Sequence, residues 1–369
     1  MLKMTRHIAS QGYDRVRCWA NPVALPCGKE VFLLSQKLTI TAIDCFSDVS
    51  LFHSPDGGNS WGKPELFPRL ADIPLPDGKR FGFLVSAMRR MDAHTILVLA
   101  TRHCYNADNT LDKDNPRKVV YCCFHPETGN TTELRELELP APPDAHTLAV
   151  NTQFEFKNDR CLLPYTIWQS STKKFSAAIA EIHREPDGTL TVTDASEPVT
   201  TNEARGFLEP SLACFNGKYY LTLRNDLSGF ITSSGNWKEF PAPEKLKWTD
   251  GSWLGNCNTM TRLIALGGKL FLVYTRQGLN NDHVFRNRAP LLIAELDPAV
   301  NAVKPETEQI AVPEHGARLG NFTAVASREN SAYISVAEWM QTLEPDWHEC
   351  RKCEQYGADN RIWYIELKS

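Results

Sequence analysis

Ser54-Pro55-Asp56-Gly57-Gly58-Asn59-Ser60-Trp61 is the stretch that decides the fold. It reads as a tight hairpin turn: the Asp56 carboxylate accepts hydrogen bonds from turn N–H groups, Gly57 and Gly58 permit positive φ, and Trp61 plugs the end of the hairpin with an aromatic ring. One such turn belongs equally well to an ordinary hairpin, so the fold rests on whether the unit around it recurs.

It does recur. Strand-like runs of β-branched and aromatic residues follow one another with turns between them, and nothing resembles a long amphipathic helix. One unit opens on a small or polar residue, continues as an apolar segment, turns, and ends in a strongly β run. It begins at Asn21 (NPVALPCGKEVFLLSQ), near Ser86 (SAMRRMDAHTILVLATR), at Asn151 (NTQFEFKNDRCLLPYTIW), at Glu209 (EPSLACFNGKYYLTLRN), at Asn258 (NTMTRLIALGGKLFLVYTR) and at Asn321 (NFTAVASRENSAYISVAEW). Each unit supplies the first two strands of a blade, and DVSLFHS, KVVYCCFHP, FSAAIAEIH, GFITSSG, APLLIAELDP and RIWYIEL supply the third. The sixth blade then lacks an outer strand, which the segment Lys3 to Ile8 is expected to provide, closing the ring and hiding a sheet edge. The opening turn returns in degraded form at His125-Pro126-Glu127-Thr128-Gly129-Asn130-Thr131-Thr132 and begins again at Leu296-Asp297-Pro298. The expected fold is all-β: a six-bladed β-propeller of four-stranded antiparallel blades occupying residues 1–369 as one domain.

Composition narrows the function. With 40 Lys+Arg against 44 Asp+Glu the formal charge is -4, which disfavours a nucleic-acid partner. No run of about 18 apolar residues marks a membrane span, and Met1-Leu2-Lys3-Met4-Thr5-Arg6-His7 lacks the apolar core of a signal peptide. The expectation is a cytoplasmic protein, or a secreted or periplasmic one if a leader has been removed. The 11 cysteines are scattered through apolar strand patterns and read as reduced core thiols. Cys350-Arg351-Lys352-Cys353 alone has ligand spacing, and with no second pair it reads as a surface loop rather than a zinc site. No phosphate, dinucleotide, EF-hand or zinc-hydrolase signature stands in a credible context, so no cofactor or metal is expected.

In a propeller the first strands line the central channel, and their openings converge on one mouth. These openings are Asn21, Ser86, Asn151, Glu209, Asn258 and Asn321, groups suited to hydrogen bonding sugar hydroxyls; turn chemistry at a strand entrance is the alternative reading of each Asn. Trp19 stands beside them, either stacking on a sugar or packing in the core. The loop Asn280 to Arg288 joins strands two and three of the fifth blade and carries Asp282 and His283, a candidate proton-transfer pair or a solvated turn.

Ser54 to Trp61 is a near-complete Asp-box, Ser-x-Asp-x-Gly-x-Ser/Thr-Trp, and resembles those of the sialidase (neuraminidase) superfamily. Glu209-Pro210-Ser211 through Leu223-Arg224-Asn225 looks like the sialidase segment in which an inner-strand Glu is followed about fifteen residues later by an Arg. That resemblance implies Glu209 as general base or partner and Arg224 as an anion ligand in a three-Arg clamp. Arg288, just before a third strand, resembles another member of the clamp. Asp48 resembles the acidic residue ahead of the first Asp-box, with Asp44 as its neighbour and substitute. The chain as a whole is similar to uncharacterised sialidase-like sequences through the phrases Asn-Asp-His-Val-Phe-Arg and Arg-Leu-Gly-Asn-Phe. It departs from the sialidase pattern at two points. Ala20-Asn21-Pro22 stands where the first clamp Arg is expected, with Arg15 or Arg17 the nearest replacements, and Asn321 stands where the nucleophilic Tyr is expected.

The resemblance implies an exo-acting glycoside hydrolase that removes a terminal acidic sugar such as sialic acid without a tyrosine nucleophile. Glu209 paired with Asp48 or Asp282 would supply acid and base. Two other readings stand beside it: a propeller lyase acting on uronates through His146, His283 and Tyr274, and a noncatalytic carbohydrate-binding propeller. The expected partner in every case is a glycan or small sugar; the oligomeric state is open.

Overall fold

The computed structural model describes residues 2–42, 44–150, 152–157, 160–185, 187–328 and 330–369. Six antiparallel sheets follow one another along the chain as blades I to VI. Blade I runs from its inner strand Arg17–Cys27 through Glu30–Thr39 and Phe46–Ser54 to the short outer strand Glu65–Leu66. Blade II uses Arg80–Arg90, Ile96–Tyr105 and Lys118–His125, and blade IV uses Leu208–Phe215, Lys218–Arg224 and Gly229–Ser234. Blade V is built from Arg262–Leu266, Lys269–Tyr274 and Leu291–Asp297. Blade III departs from the expected pattern, because its inner strand is split into Ala145–Leu148 and Glu155–Lys157, both paired to Arg160–Gln169. The opening residue expected there, Asn151, lies outside the described residues.

The sixth blade joins both ends of the chain. Lys3–Ser10 pairs antiparallel with Ile362–Lys368, which pairs in turn with Ser331–Ala337 and Phe322–Arg328. The outer strand shows the mixed burial of a sheet edge, whereas the inner strand of blade I is buried along most of its length. The difference follows from position: an inner or middle strand has a neighbouring blade on each face and reads as continuous apolar sequence.

Six apolar clusters fill the spaces between neighbouring blades. Those between I and II, II and III, III and IV, IV and V, and V and VI centre on Phe83, Tyr165, Phe207, Tyr274 and Phe322. The sixth, between VI and I, contains Ala9, Trp19, Phe52 and Tyr364 and closes the ring. Asn360 locks this last seam. It is 1% exposed, its Oδ1 accepts from Trp19 N at 2.7 Å, and its Nδ2 donates to Trp19 O at 3.2 Å and Glu338 O at 2.7 Å.

The Ser54–Trp61 turn is held by side chains. Asp56 Oδ1 accepts from Ser60 N at 2.8 Å and Ser54 Oγ at 3.0 Å, and Oδ2 accepts from Ser60 Oγ at 2.7 Å. The hydrogen bonds from Ser60 hold the Asp56 carboxyl below its usual range. Ser54 Oγ accepts from Gly58 N at 2.8 Å, and Trp61 Nε1 donates to Gly58 O at 2.9 Å. Gly58 has φ 96° and lies against the Tyr364 ring, where a Cβ would stand 2.7 Å from Cδ1, so the turn requires glycine for both reasons. At the degraded copy the hairpin persists, but Glu127 turns outward to His94 Nδ1 at 2.8 Å instead of holding the turn.

Cys350 and Cys353 do not lie on a surface loop. The helical turn Arg351–Glu354 directs them into an apolar cluster with Cys18, Phe46, Leu84, Trp339 and Met340, and both are buried. All 11 cysteines are free thiols.

The Asn360 seam yields a test. Asn360→Ala strands three buried backbone groups and is expected to lower stability by about 2–4 kcal/mol, read as a fall in the urea midpoint at unchanged slope.

Candidate functional site

The inner strands do not run smoothly to the mouth. Pairing slips between Ala20 and Val23 in blade I, between Val85 and Ala87 in blade II, and between Leu208 and Ser211 in blade IV. Each slip is a β-bulge, and the bulged residues are the openings Asn21, Ser86 and Glu209. Asn21 and Glu209 each precede a proline and have positive φ, 50° and 45°; Asn258, ahead of the blade V inner strand, has φ 46°. A non-glycine residue in this region costs about 1–2 kcal/mol, and such strain is held in place by the surrounding frame.

A cleft of about 260 Å³ that water can enter opens at this mouth. Blades IV to VI line one side with Glu209, Arg224, Arg286, Arg288, Arg318 and Asn321. Blades I to III line the other with Asp44, Phe46, Leu84, His103, Arg117 and Phe175, and Trp339 and Arg205 also face it. No tyrosine is among the described residues that line it.

Glu209 and Arg224 meet in the cleft. Arg224 Nη1 donates to Glu209 Oε2 at 2.8 Å, while its Nη2 donates to Asn258 Oδ1 at 2.7 Å. Asn258 also receives Arg288 Nη2 on its carbonyl oxygen. The loop carrying Arg286 and Arg288 is tied by buried Asn281, whose Nδ2 donates to Ala289 O at 2.6 Å and Arg276 O at 2.9 Å. Gly320 makes room for Arg288, because a Cβ there would overlap the Arg288 side chain. The opening residues of blades I and VI are joined to each other: Asn321 Nδ2 donates to Asn21 Oδ1 at 2.6 Å.

Arg288 and Arg318 are 3% and 6% exposed, and the Nε of each has no hydrogen-bond partner. Neither forms an ion pair among the described residues. Burial, reinforced by Arg224 and other nearby arginines, pushes the Arg288 guanidinium well below its usual pKa. Burial brings Arg318 down to about 9, with Asp44 opposing the shift. Arg318 lies over Trp339, 3.4 Å from the ring centroid. Both cations are therefore desolvated with little compensation from neighbouring acceptors.

The other expected site residues lie elsewhere. Asp48 is exposed and accepts from Asp72 N at 2.8 Å, outside the cleft lining. Burial raises the adjacent Asp72 to about 6, against Arg80 and with help from Asp48. Asp282 accepts from Asn287 Nδ2 at 3.0 Å, while His283 pairs with Glu314 at 3.1 Å and stacks on Tyr356 at 4.1 Å, so the two do not form a pair with each other. Trp19 packs edge-on against Phe52 at 5.1 Å in the VI–I core. Arg15 pairs with Glu354 on the surface. Tyr274 is buried and hydrogen bonded to Glu308 at 2.6 Å, and neither it nor His146 lines the cleft.

The sequence reading passed over Arg117, Arg205, Arg286, Arg318, His103 and Trp339. Arg318 carries a local signal: it is a lone charge within Ala317-Arg318-Leu319-Gly320, three residues before the blade VI opening. His103 is 2% exposed and kept from protonation by burial and then by Arg117. Tyr105 Oη donates to Asp44 O at 2.7 Å, so the His103 Nδ1 contact to that oxygen at 3.0 Å requires a proton on Nδ1.

No protein-family model and no curated protein matches the chain by sequence. Among solved structures, it is similar to Trypanosoma rangeli sialidase in complex with sialic acid, at TM-score 0.57 and 11% identity, covering 99% of this chain. The chain spans 58% of the length of that trypanosomal enzyme. Similarity to the NanB sialidase of Streptococcus pneumoniae has TM-score 0.60 and 9% identity, over 98% of this chain and 70% of that one. The alpha-L-arabinofuranosidase of Fusarium graminearum gives TM-score 0.57 and 10% identity, over 99% and 96% of the two chains. At these identities the likeness establishes the fold, a sialidase-like six-bladed propeller.

The buried cations carry a cost in stability. Below its folded pKa of about 9 the Arg318 charge is fully present and its desolvation opposes folding; above it, the native state sheds the proton first and the cost declines toward the unfolded pKa. Arg318→Met is therefore expected to stabilise the unliganded protein by about 1–3 kcal/mol at pH 7. Thermal unfolding at pH 7 and pH 10 should show the gain shrinking at the higher pH.

Proposed function

We propose that the protein is a glycoside hydrolase acting on a terminal acidic sugar, with sialic acid the leading candidate. The observation that carries this reading is the convergence of Arg224, Arg288 and Arg318 with two carboxylates, Asp44 and Glu209, in one cleft at the mouth of a sialidase-like propeller. The planar guanidinium forks match a sugar carboxylate, and the apolar side chains of Phe46 and Trp339 suit the apolar face of the ring. The named activities of the structural neighbours are glycosidic and point the same way.

Hydrolysis needs one group to protonate the leaving oxygen and one to activate water. Glu209, paired with Arg224, is assigned as the base, and Asp44 is assigned as the acid in place of Asp48 and Asp282, since neither of those lines the cleft. With no tyrosine among the described lining residues, the mechanism we assign is direct attack of an activated water on the anomeric carbon, which releases the product with inverted configuration. Asn321, at the position of the tyrosine nucleophile in the sialidase pattern, pairs with Asn21, and the two offer amide groups to sugar hydroxyls.

The reading is tested with fluorogenic glycosides of sialic, glucuronic and galacturonic acids. Glu209→Gln and Asp44→Asn are each expected to lower kcat by about 10²–10⁴, while Arg288→Gln raises KM as well. Proton NMR of the first-formed anomer should show inversion; retention would instead assign a carboxylate as a covalent nucleophile. Binding of these sugars with no turnover would leave a carbohydrate-binding propeller in place of an enzyme.

A further inference from the structure

The charge in the cleft exceeds what one sugar carboxylate neutralises. Six guanidinium groups line it, from Arg117, Arg205, Arg224, Arg286, Arg288 and Arg318. Against them stand Asp44 and Glu209 in the lining, and Asp226, which holds Arg205 through two contacts at 2.8 and 2.6 Å. Six positive charges against these three negative ones leave an excess of three, or two when Glu344, which acts on Arg286 from beyond the lining, is counted; a single carboxylate leaves at least one unmatched in a partly desolvated space.

The arginines also stand at two depths. Arg288 and Arg318 are buried at the base, next to Arg224. Arg286 is exposed at the rim, held at φ 55° in the turn Phe285–Asn287 and lying against its neighbour Phe285 at 4.7 Å. Among the described residues its guanidinium has no ion pair and no side-chain hydrogen bond, unlike Arg205, whose fork is already filled. Asn281 fixes the loop that carries both Arg286 and Arg288, so the distance between the rim cation and the deep cation is set by the fold.

We propose that the cleft takes an acidic glycan with at least two anionic groups: a carboxylate on the terminal residue held deep by Arg224, Arg288 and Arg318, and a second anion on the adjoining residue held at the rim by Arg286. This rests on the proposed function and narrows its substrate class from a singly charged terminal sugar to a multiply charged chain end. The second group is a carboxylate or a sulfate ester, both of which accept a guanidinium fork. Arg286 acts here as a specificity-determining residue, rewarding a charge that the deep site cannot reach.

Calorimetry on the intact protein tests this with thio-linked, cleavage-resistant ligands. The probes are sialyllactose with one charge, the same trisaccharide sulfated on its galactose, and α-linked disialic acid with two carboxylates; galacturonic and digalacturonic acids form the uronate arm. In whichever arm the singly charged member binds, the doubly charged one is expected to bind about five- to tenfold tighter at low salt, with a steeper loss of affinity as NaCl rises. Preference for the sulfated ligand or for the second carboxylate identifies the second group. Arg286→Gln should collapse the ratio toward one, and Arg286→Lys should restore part of it. Equal affinities in the unmodified protein, or a ratio that survives Arg286→Gln, overturns the inference while leaving the proposed function standing. Failure of every singly charged sugar to bind overturns the proposed function, and this inference with it.

Discussion

Everything in the molecule depends on closing the ring. Each blade buries both faces only if it has a neighbour on either side, so a row of six blades would expose two apolar faces and two sheet edges. Pairing Lys3–Ser10 with Ile362–Lys368 removes that exposure and creates the sixth apolar seam around Trp19, Phe52 and Tyr364. The same seam reaches the candidate site. Asn360 ties Trp19 to Glu338 across it, and two residues along the chain the Asn21 Oδ1 accepts from Asn321 of blade VI. The first and last openings of the mouth meet because the chain ends meet.

A closed frame can hold arrangements that would not persist alone. Positive φ at Asn21 and Glu209, at the bulges of their inner strands, and at Asn258, ahead of the next, costs free energy in each blade concerned. The unmatched charge of Arg288 and Arg318 costs more. Both costs fall at one end of the propeller, where Phe46, Leu84 and Trp339 form a rigid apolar support continuous with the cluster that buries Cys350 and Cys353. Both costs are borne by the frame that surrounds them, and under the proposed function an entering anion would offset the second.

Much of the fold was legible in local sequence because its signals are local. The Asp56 turn, the six paired β runs and the third strands are patterns of a few residues each, and the terminal strand follows from counting a blade that lacks an edge. Glu209 and Arg224 were legible for a related reason: they sit on adjacent strands of one hairpin, whose register places them together at 2.8 Å. Asp48 and Asp282 were misplaced because proximity along the chain says little about direction. Asp48 stands on a strand where alternate residues face opposite ways, and Asp282 belongs to a loop whose inward side is taken by Asn281 and Arg288. Blade III departs from the repeat at the stretch where the opening residue was expected, and its inner strand divides there in two.

The sequence by itself determined the architecture: turn chemistry, strand periodicity and the number of repeats are short-range properties, and together they admit a six-bladed ring closed by its own N-terminus. It also marked one polar opening per blade. The tertiary structure alone decided which charges share a space. Arg117, Arg205, Arg286 and Arg318 come from four separate connections, and no spacing in the chain relates them; they converge because six blades are packed around one axis. Desolvation, which lowers the pKa of Arg288 and Arg318, is likewise a property of what surrounds a residue in space, and it exists only once the ring has formed.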